Sequence, residues 1–201
     1  MTDYASILRG FDEAPIDEVI AYLSEELPYF WREDYELTTQ RPTNLVLVPD
    51  RAFIYVFDHY SILEAQGLAP QDSTIEDRLI GALGSSATVT KDREAGRLQG
   101  WIGPTKEVLG EGRDKGHVLA HSMGGLVDGH EINLYSQQSQ LNRGHSEQGK
   151  KYRKMEAYCA EHPGTFVSNR LYYKDQSSKP HKIEYTILLP NKMVWTEMFT
   201  N

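Results

Sequence analysis

The sequence predicts an α+β protein, with helices and antiparallel strands in separate runs. Three observations lead there. Near the start, apolar residues recur at three- and four-residue spacing (Ile16, Val19, Ile20, Leu23, Leu27), one face of a helix. Runs rich in β-branched and aromatic residues lie at 44–57 and 183–199, each broken by a turn signal. Strands and helices do not alternate as a parallel sheet would need.

In order along the chain, residues 4–27 read as helix, ended by Pro28. Residues 44–57 read as two short strands turning at Pro49-Asp50, and residues 74–83 as a short helix. Gly84-Ser85-Ser86 is the best boundary, because small residues coincide there with a change in charge balance. It divides an acidic accessory segment of mixed α/β character, 1–85, from a second domain, 86–201. That domain opens with an expected hairpin, strands 87–91 and 97–102 turning through Asp92 to Gly96. Residues 103–116, with four glycines and a proline, read as loop. Residues 146–161 are rich in helix formers, with Tyr152, Met155 and Tyr158 among the packing candidates, and Pro163-Gly164 stops them. IEYTILL at 183–189 and MVWTEMF at 193–199 complete a hairpin through Pro190-Asn191-Lys192.

Composition narrows the function. Of 201 residues 39% are hydrophobic, enough for a buried core, and no 18-residue apolar run suggests a membrane span. The acidic first fifteen residues lack a secretory signal pattern, which leads one to expect a cytoplasmic protein or one delivered without a cleavable signal. The single cysteine, Cys159, excludes an internal disulfide and a cysteine-based zinc site. The net charge of −8 is uneven: residues 1–90 carry 16 acidic and 5 basic side chains, and residues 91–201 carry 13 and 16. Such asymmetry between halves suggests two parts with different partners.

The segment AHSMGGL, 120–126, has the outline of the G-x-S-x-G nucleophile elbow, which would make Ser122 an esterase nucleophile with Asp175 and His181 as partners. An elbow needs an apolar strand before the serine and a helix after it. Asp114-Lys115-Gly116-His117 and Asp128-Gly129-His130-Glu131 supply neither. His121, four residues after His117, has zinc-like spacing only on a helix. His121, His130 and His145 read as surface or loop residues.

The wider segment carries four motifs in order: Asp114-Lys115-Gly116-His117, then Gly124-Gly125, then Asn133-Leu134-Tyr135-Ser136-Gln137, then Leu141-Asn142-Arg143-Gly144. Together they resemble the DNA/RNA non-specific endonucleases of the ββα-metal (His-Me finger) fold, whose hallmark is an Asp-Arg-Gly-His box. The D-x-x-G-R stretch at Asp92 to Arg97 and the segment after residue 150 are similar to nuclease domains of bacterial polymorphic toxins. The resemblance covers about residues 86–201 and leaves 1–85 unexplained. It implies a magnesium- or manganese-dependent endonuclease acting on DNA alone or on both DNA and RNA. It also implies a toxin or effector role, an immunity protein as partner, no membrane association, and room for a homodimer.

The resemblance makes His117 the general base. A histidine suits that role because its reference pKa is about 6.5. It makes Asn142 the metal ligand; magnesium keeps most of its waters and accepts one neutral amide oxygen. Asn142 at a helix start also suits an N-cap. Asp114, Asn133 and Gln137 fall near the metal waters or hold the loop. Lys115 stands where the family has arginine, keeping charge but losing the two-pronged fork. Arg113 and Lys115 are candidates to stabilise transition-state charge. Arg143, Lys150, Lys151, Arg153 and Lys154 are candidate phosphate contacts, or a solvated basic helix face. The family's acidic helix residue has no direct counterpart: Lys150 stands eight residues after Asn142. Glu156 fills the slot if residues near 145–150 form an inserted loop, with Glu147 as the rival. On one continuous helix Glu156 would lie roughly 21 Å from Asn142 along the axis. Trp101, Tyr172 and Tyr173 could stack on bases or belong to the core. The alternative function is a catalytically weak nucleic-acid-binding or regulatory module, with the acidic front half shielding the basic face.

Overall fold

The computed structural model describes residues 1–72, 74–89, 109–125 and 131–201. The chain is a mixed α+β protein. A six-stranded, wholly antiparallel sheet runs β1 (Leu45–Asp50), β2 (Phe53–Asp58), β3 (Arg78–Ser85), β6 (Phe166–Tyr172), β7 (Lys182–Leu188), β8 (Val194–Thr200), in that spatial order. A second, two-stranded antiparallel ribbon pairs β4 (Arg113–His117) with β5 (Leu134–Gln138). The helices are α1 (Tyr4–Ile7), α2 (Ile16–Thr39), α3 (Tyr60–Ala65), α4 (Ser139–Asn142) and α5 (Glu147–Glu161).

The alternating side chains of the sheet give it two apolar faces. Val56, Ile80, Leu83, Phe166 and Leu188 meet Val19, Leu23, Leu27 and Trp31 of α2. Tyr55, Ala82, Val167, Ile183 and Ile187 meet Val118, Leu119, Met123, Leu141 and the buried side of α5, Tyr152, Met155 and Cys159. The ribbon and α5 therefore lie on one side of the sheet and α2 on the other. The exposed face of α2 thus lies across the sheet from α5.

The expected boundary at 84–86 is not a break in the sheet. β3 pairs with β6 from Gly81↔Arg170 to Ser85↔Phe166, so residues from both expected domains form adjacent central strands. Three elements correct the sequence reading. α2 starts at Ile16 and runs through Pro28 to Thr39. The lost hydrogen bond and the ring clash cost about 3 kcal/mol, offset by burial of Leu27, Pro28, Trp31 and Tyr35 beyond the proline. Where a short helix was expected at 74–83, residues 78–85 form a strand buried along nearly its whole length. A strand covered on both faces is apolar at consecutive positions, and periodicity cannot separate it from a helix. The turn between β1 and β2 sits at Arg51-Ala52, with Pro49 inside the edge strand β1, where a missing N–H is tolerated. Of the expected hairpin strands 87–91 and 97–102, residues 87–89 are not in a strand and 90–102 lie outside the described residues. No helix among the described residues is long and apolar enough to cross a membrane.

Candidate functional site

The expected loop at 103–116 ends earlier than the sequence suggested, because Arg113–His117 form β4. β5 leads directly into α4, and Gly144 in the left-handed region (φ 70°) ends that turn. Ser146 then caps α5, its hydroxyl accepting from the Gly149 N–H at 3.0 Å. Gly149 lets α5 cross over α4: a Cβ there would lie 2.5 Å from the Gln140 carbonyl oxygen. The order is thus strand, strand, short helix, long helix, with residues 143–146 interrupting the helical path.

Asp114 joins two of the four motifs. Its carboxylate accepts from Ser139 Oγ (2.9 Å), Asn142 Nδ2 (3.0 Å), Arg143 Nε (2.8 Å) and Arg143 Nη2 (2.6 Å). Burial acts to raise its pKa, but the bonds from Arg143, Asn142 and Ser139 outweigh that and hold it below the usual carboxylate value. The arrangement fixes the Asn142 amide. A carboxylate only accepts, so the nitrogen must face Asp114 and Oδ1 must face elsewhere. That oxygen accepts no hydrogen bond among the described residues. Asn142 closes α4, and a cap for the following helix falls to Ser146.

The ribbon register sorts the other candidates. Asp114 lies opposite Gln137 and Gly116 opposite Tyr135, while Arg113, Lys115 and His117 lie opposite Gln138, Ser136 and Leu134. Strand alternation sends these two sets to opposite faces. Asp114, and with it Asn142 and Arg143, therefore belongs to one face, and Arg113, Lys115 and His117 to the other. A groove is lined by Arg113, Asp114, Lys115 and Arg143.

Gln137 and Asn133 are both buried. Asn133 holds the segment after His117, accepting from the Leu119 N–H at 2.9 Å and donating to the Leu119 carbonyl at 2.8 Å. Both amide atoms of Gln137 are enclosed, with its side chain against the Tyr152 hydroxyl. Glu156 faces the core from α5. Burial raises its pKa to about 7, against the pull of Arg153 at 2.8 Å. Glu147 is exposed in the first turn of α5 and pairs with Lys150 at 2.6 Å. Lys151 pairs with Glu197 at 2.9 Å. Three of the four α5 cations are thus already matched by carboxylates, and Lys154 alone has no ion pair among the described residues.

Ser122 is exposed in a 3-10 turn, His121–Met123, after an antiparallel two-stranded ribbon rather than a central parallel strand. Asp175 bonds Ser177, and His181 Nδ1 bonds the Tyr172 carbonyl, so neither side chain is committed to Ser122. No elbow is formed. Tyr172 and Tyr173 are engaged by Glu184 and the Leu79 carbonyl respectively. Trp101 and His130 lie outside the described residues, and His145 is exposed.

Two contributors escaped the sequence reading. Ser139 supplies a bond to Asp114. Asn201 caps β5, accepting from the Gln138 N–H and donating to the Ser136 and Pro180 carbonyls, and its own carbonyl receives Arg113 at 3.4 Å. No local pattern points to a contact 63 residues away. Among the described residues, no group of three or more His, Cys, Asp or Glu side chains is arranged to hold a metal ion. Comparison of the chain with protein-family models and with curated proteins returns no match.

Proposed function

We propose that the chain is a divalent-metal-dependent endonuclease that hydrolyses phosphodiester bonds of DNA, and also of RNA, without reading sequence. The observation that carries this reading is the convergence on Asp114. A carboxylate from the Asp114-Lys115-Gly116-His117 motif orients the amide of the Leu141-Asn142-Arg143-Gly144 motif 28 residues away. The strand–strand–helix order of 113–161 agrees with the ββα-metal arrangement that these motifs resemble.

The donor set is sparse but chemically suited to Mg2+ or Mn2+. Asn142 Oδ1 is a hard, neutral oxygen directed away from Asp114. Asn142 would hold the ion, and Asp114 would hold Asn142, as outer-shell carboxylates commonly do. The bound ion would neutralise charge on the phosphate oxygens. His117 accepts the proton of the attacking water. Arg143, anchored through Nε and Nη2, keeps Nη1 for a phosphate oxygen. Arg113 and Lys115 add positive charge along the strand that carries His117. The toxin setting and an immunity protein as inhibitory partner belong to the same proposal.

A second reading, a binding module with weak catalysis, draws support from the pairing of the α5 cations and from the opposite ribbon faces of His117 and Asp114. Nicking of supercoiled plasmid separates the two. Wild type should cut with Mg2+ or Mn2+ and stop in EDTA, and His117→Ala should lose roughly 10²- to 10⁴-fold in rate. Binding without nicking favours the module; neither cutting nor binding overturns both.

A further inference from the structure

On the ribbon side of the six-stranded sheet, a cleft of about 460 Å3 opens between the inner strands and β5. Its floor is apolar, from Phe57, Leu79, Ile132 and Leu134. At its rim the His59 ring stacks on Phe57, with centroids 5.4 Å apart and planes at 17°. His59 is held in place: its Nδ1 lies 3.3 Å from Asp77 Oδ2, and Asp77 is itself fixed by the Ser61 hydroxyl (2.6 Å) and N–H (2.9 Å). Lys179, exposed on the rim, makes no ion pair among the described residues.

The position of the cleft matters as much as its lining. Leu134 and Ser136 line it, and they lie directly opposite His117 and Lys115 in the ribbon. Tyr135, between Leu134 and Ser136, lines it too, so the cleft lies against β5, the strand paired with the one that carries His117 and Lys115.

We infer that this cleft is a subsite for one unstacked nucleobase of a single-stranded or locally opened nucleic-acid substrate. The inference rests on the nuclease reading for the identity of the polymer. Small-ligand sites span about 300–1,000 Å3, with apolar walls and few polar groups, which fits this cleft. An aromatic pair with one preorganised edge offers a planar base both a stacking surface and a hydrogen-bonding atom, His59 Nε2. Lys179 gives the adjoining phosphate a cation. Stacked bases of an intact duplex cannot enter such a cleft, so the base must leave the stack. This subsite makes the substrate preference one for single strands, mismatches and loops over regular duplex.

The test is fluorescence anisotropy in EDTA with a labelled eight-nucleotide single strand and the same strand carrying abasic sites. Wild type is expected to bind the intact strand roughly five- to a hundred-fold more tightly, the range of stacking contributions per base. In His59→Ala and in Phe57→Leu, each checked for folding by circular dichroism, that ratio should fall toward one. Equal binding of both strands by wild type overturns the subsite, whatever the plasmid assay gives. A ratio undiminished in both folded variants also overturns it, because the bases then bind elsewhere. A ratio that behaves as expected in a protein that never nicks plasmid upholds the subsite and removes the nuclease reading.

Discussion

At Asp114 a single carboxylate organises three neighbours, and the residues around it show why the motif has its composition. Gly116 is the clearest case. A Cβ there would lie 2.3 Å from Gln137 Oε1 and 2.4 Å from Gln137 Cβ, so the buried glutamine occupies the space that any larger residue would need. Gly116→Ala is expected to cost about 1–3 kcal/mol through overpacking, read as a lower urea midpoint with an unchanged slope. Stability equal to wild type would show that Gln137 moves aside freely. The motif residues Asp114, Asn142 and Arg143 were legible because they sit in short, ordered strings. Ser139 and Asn201 were not, since nothing in their own neighbourhood announces a bond to a distant strand.

Among the elements, those bounded by clear Pro- or Gly-containing stop signals, such as the β7–β8 turn and the end of α5, were legible, although β7 too is buried on both faces. The hairpin β7–β8 and the helix α5 appear within a residue or two of expectation. β3 failed because both its faces are covered, and β6 because Ser168, Asn169 and Arg170 break its apolar run while bonding across the core. In α5, Glu156 brings a pH dependence with a definite sign. The unfolded carboxyl releases its proton near the ordinary value of 4.5, and the folded one only near 7. The folded state thus binds more protons between those values, and stability falls as pH rises through that window. Glu156→Gln should flatten thermal stability between pH 5 and pH 7. Above pH 7 it should be more stable than wild type by an amount on the order of a few kcal/mol. A wild-type melting temperature already flat across this range would show that Arg153 satisfies the ionised carboxylate in full.

For the whole molecule, the charge asymmetry visible in the sequence becomes two opposite sides. The outer surface of α2 exposes Asp17, Glu18, Glu25 and Glu33, while α5 and α4 expose Arg143, Lys150, Lys151 and Lys154 beyond the other face of the sheet. Of these cations, Arg143, Lys150 and Lys151 are paired with Asp114, Glu147 and Glu197, which leaves Lys154 without an ion pair among the described residues. The sequence suggested two domains because a charge change and three small residues coincide at 84–86. The pairing of β3 with β6 is a long-range fact that local composition cannot carry. A fragment of residues 86–201 would expose the β6 edge and lose the cover of α2. It should show no cooperative thermal transition, whereas the full chain should show one. An independently melting fragment would restore the two-domain division.

The ends of the segment between those two strands are joined. The Ser86 N–H donates to the Thr165 carbonyl at 2.8 Å, and the Gly164 N–H to the Ser86 carbonyl at 2.7 Å. The chain between them, which carries the motifs of the candidate site, thus starts and ends at one point beside the sheet. Closing so long a loop is slow, and its entropic cost precedes any reward from β3–β6 contacts. During synthesis the first three strands emerge long before their partners. A nascent chain therefore carries an incomplete sheet, and no assembled candidate site, until β6 follows that segment out of the ribosome.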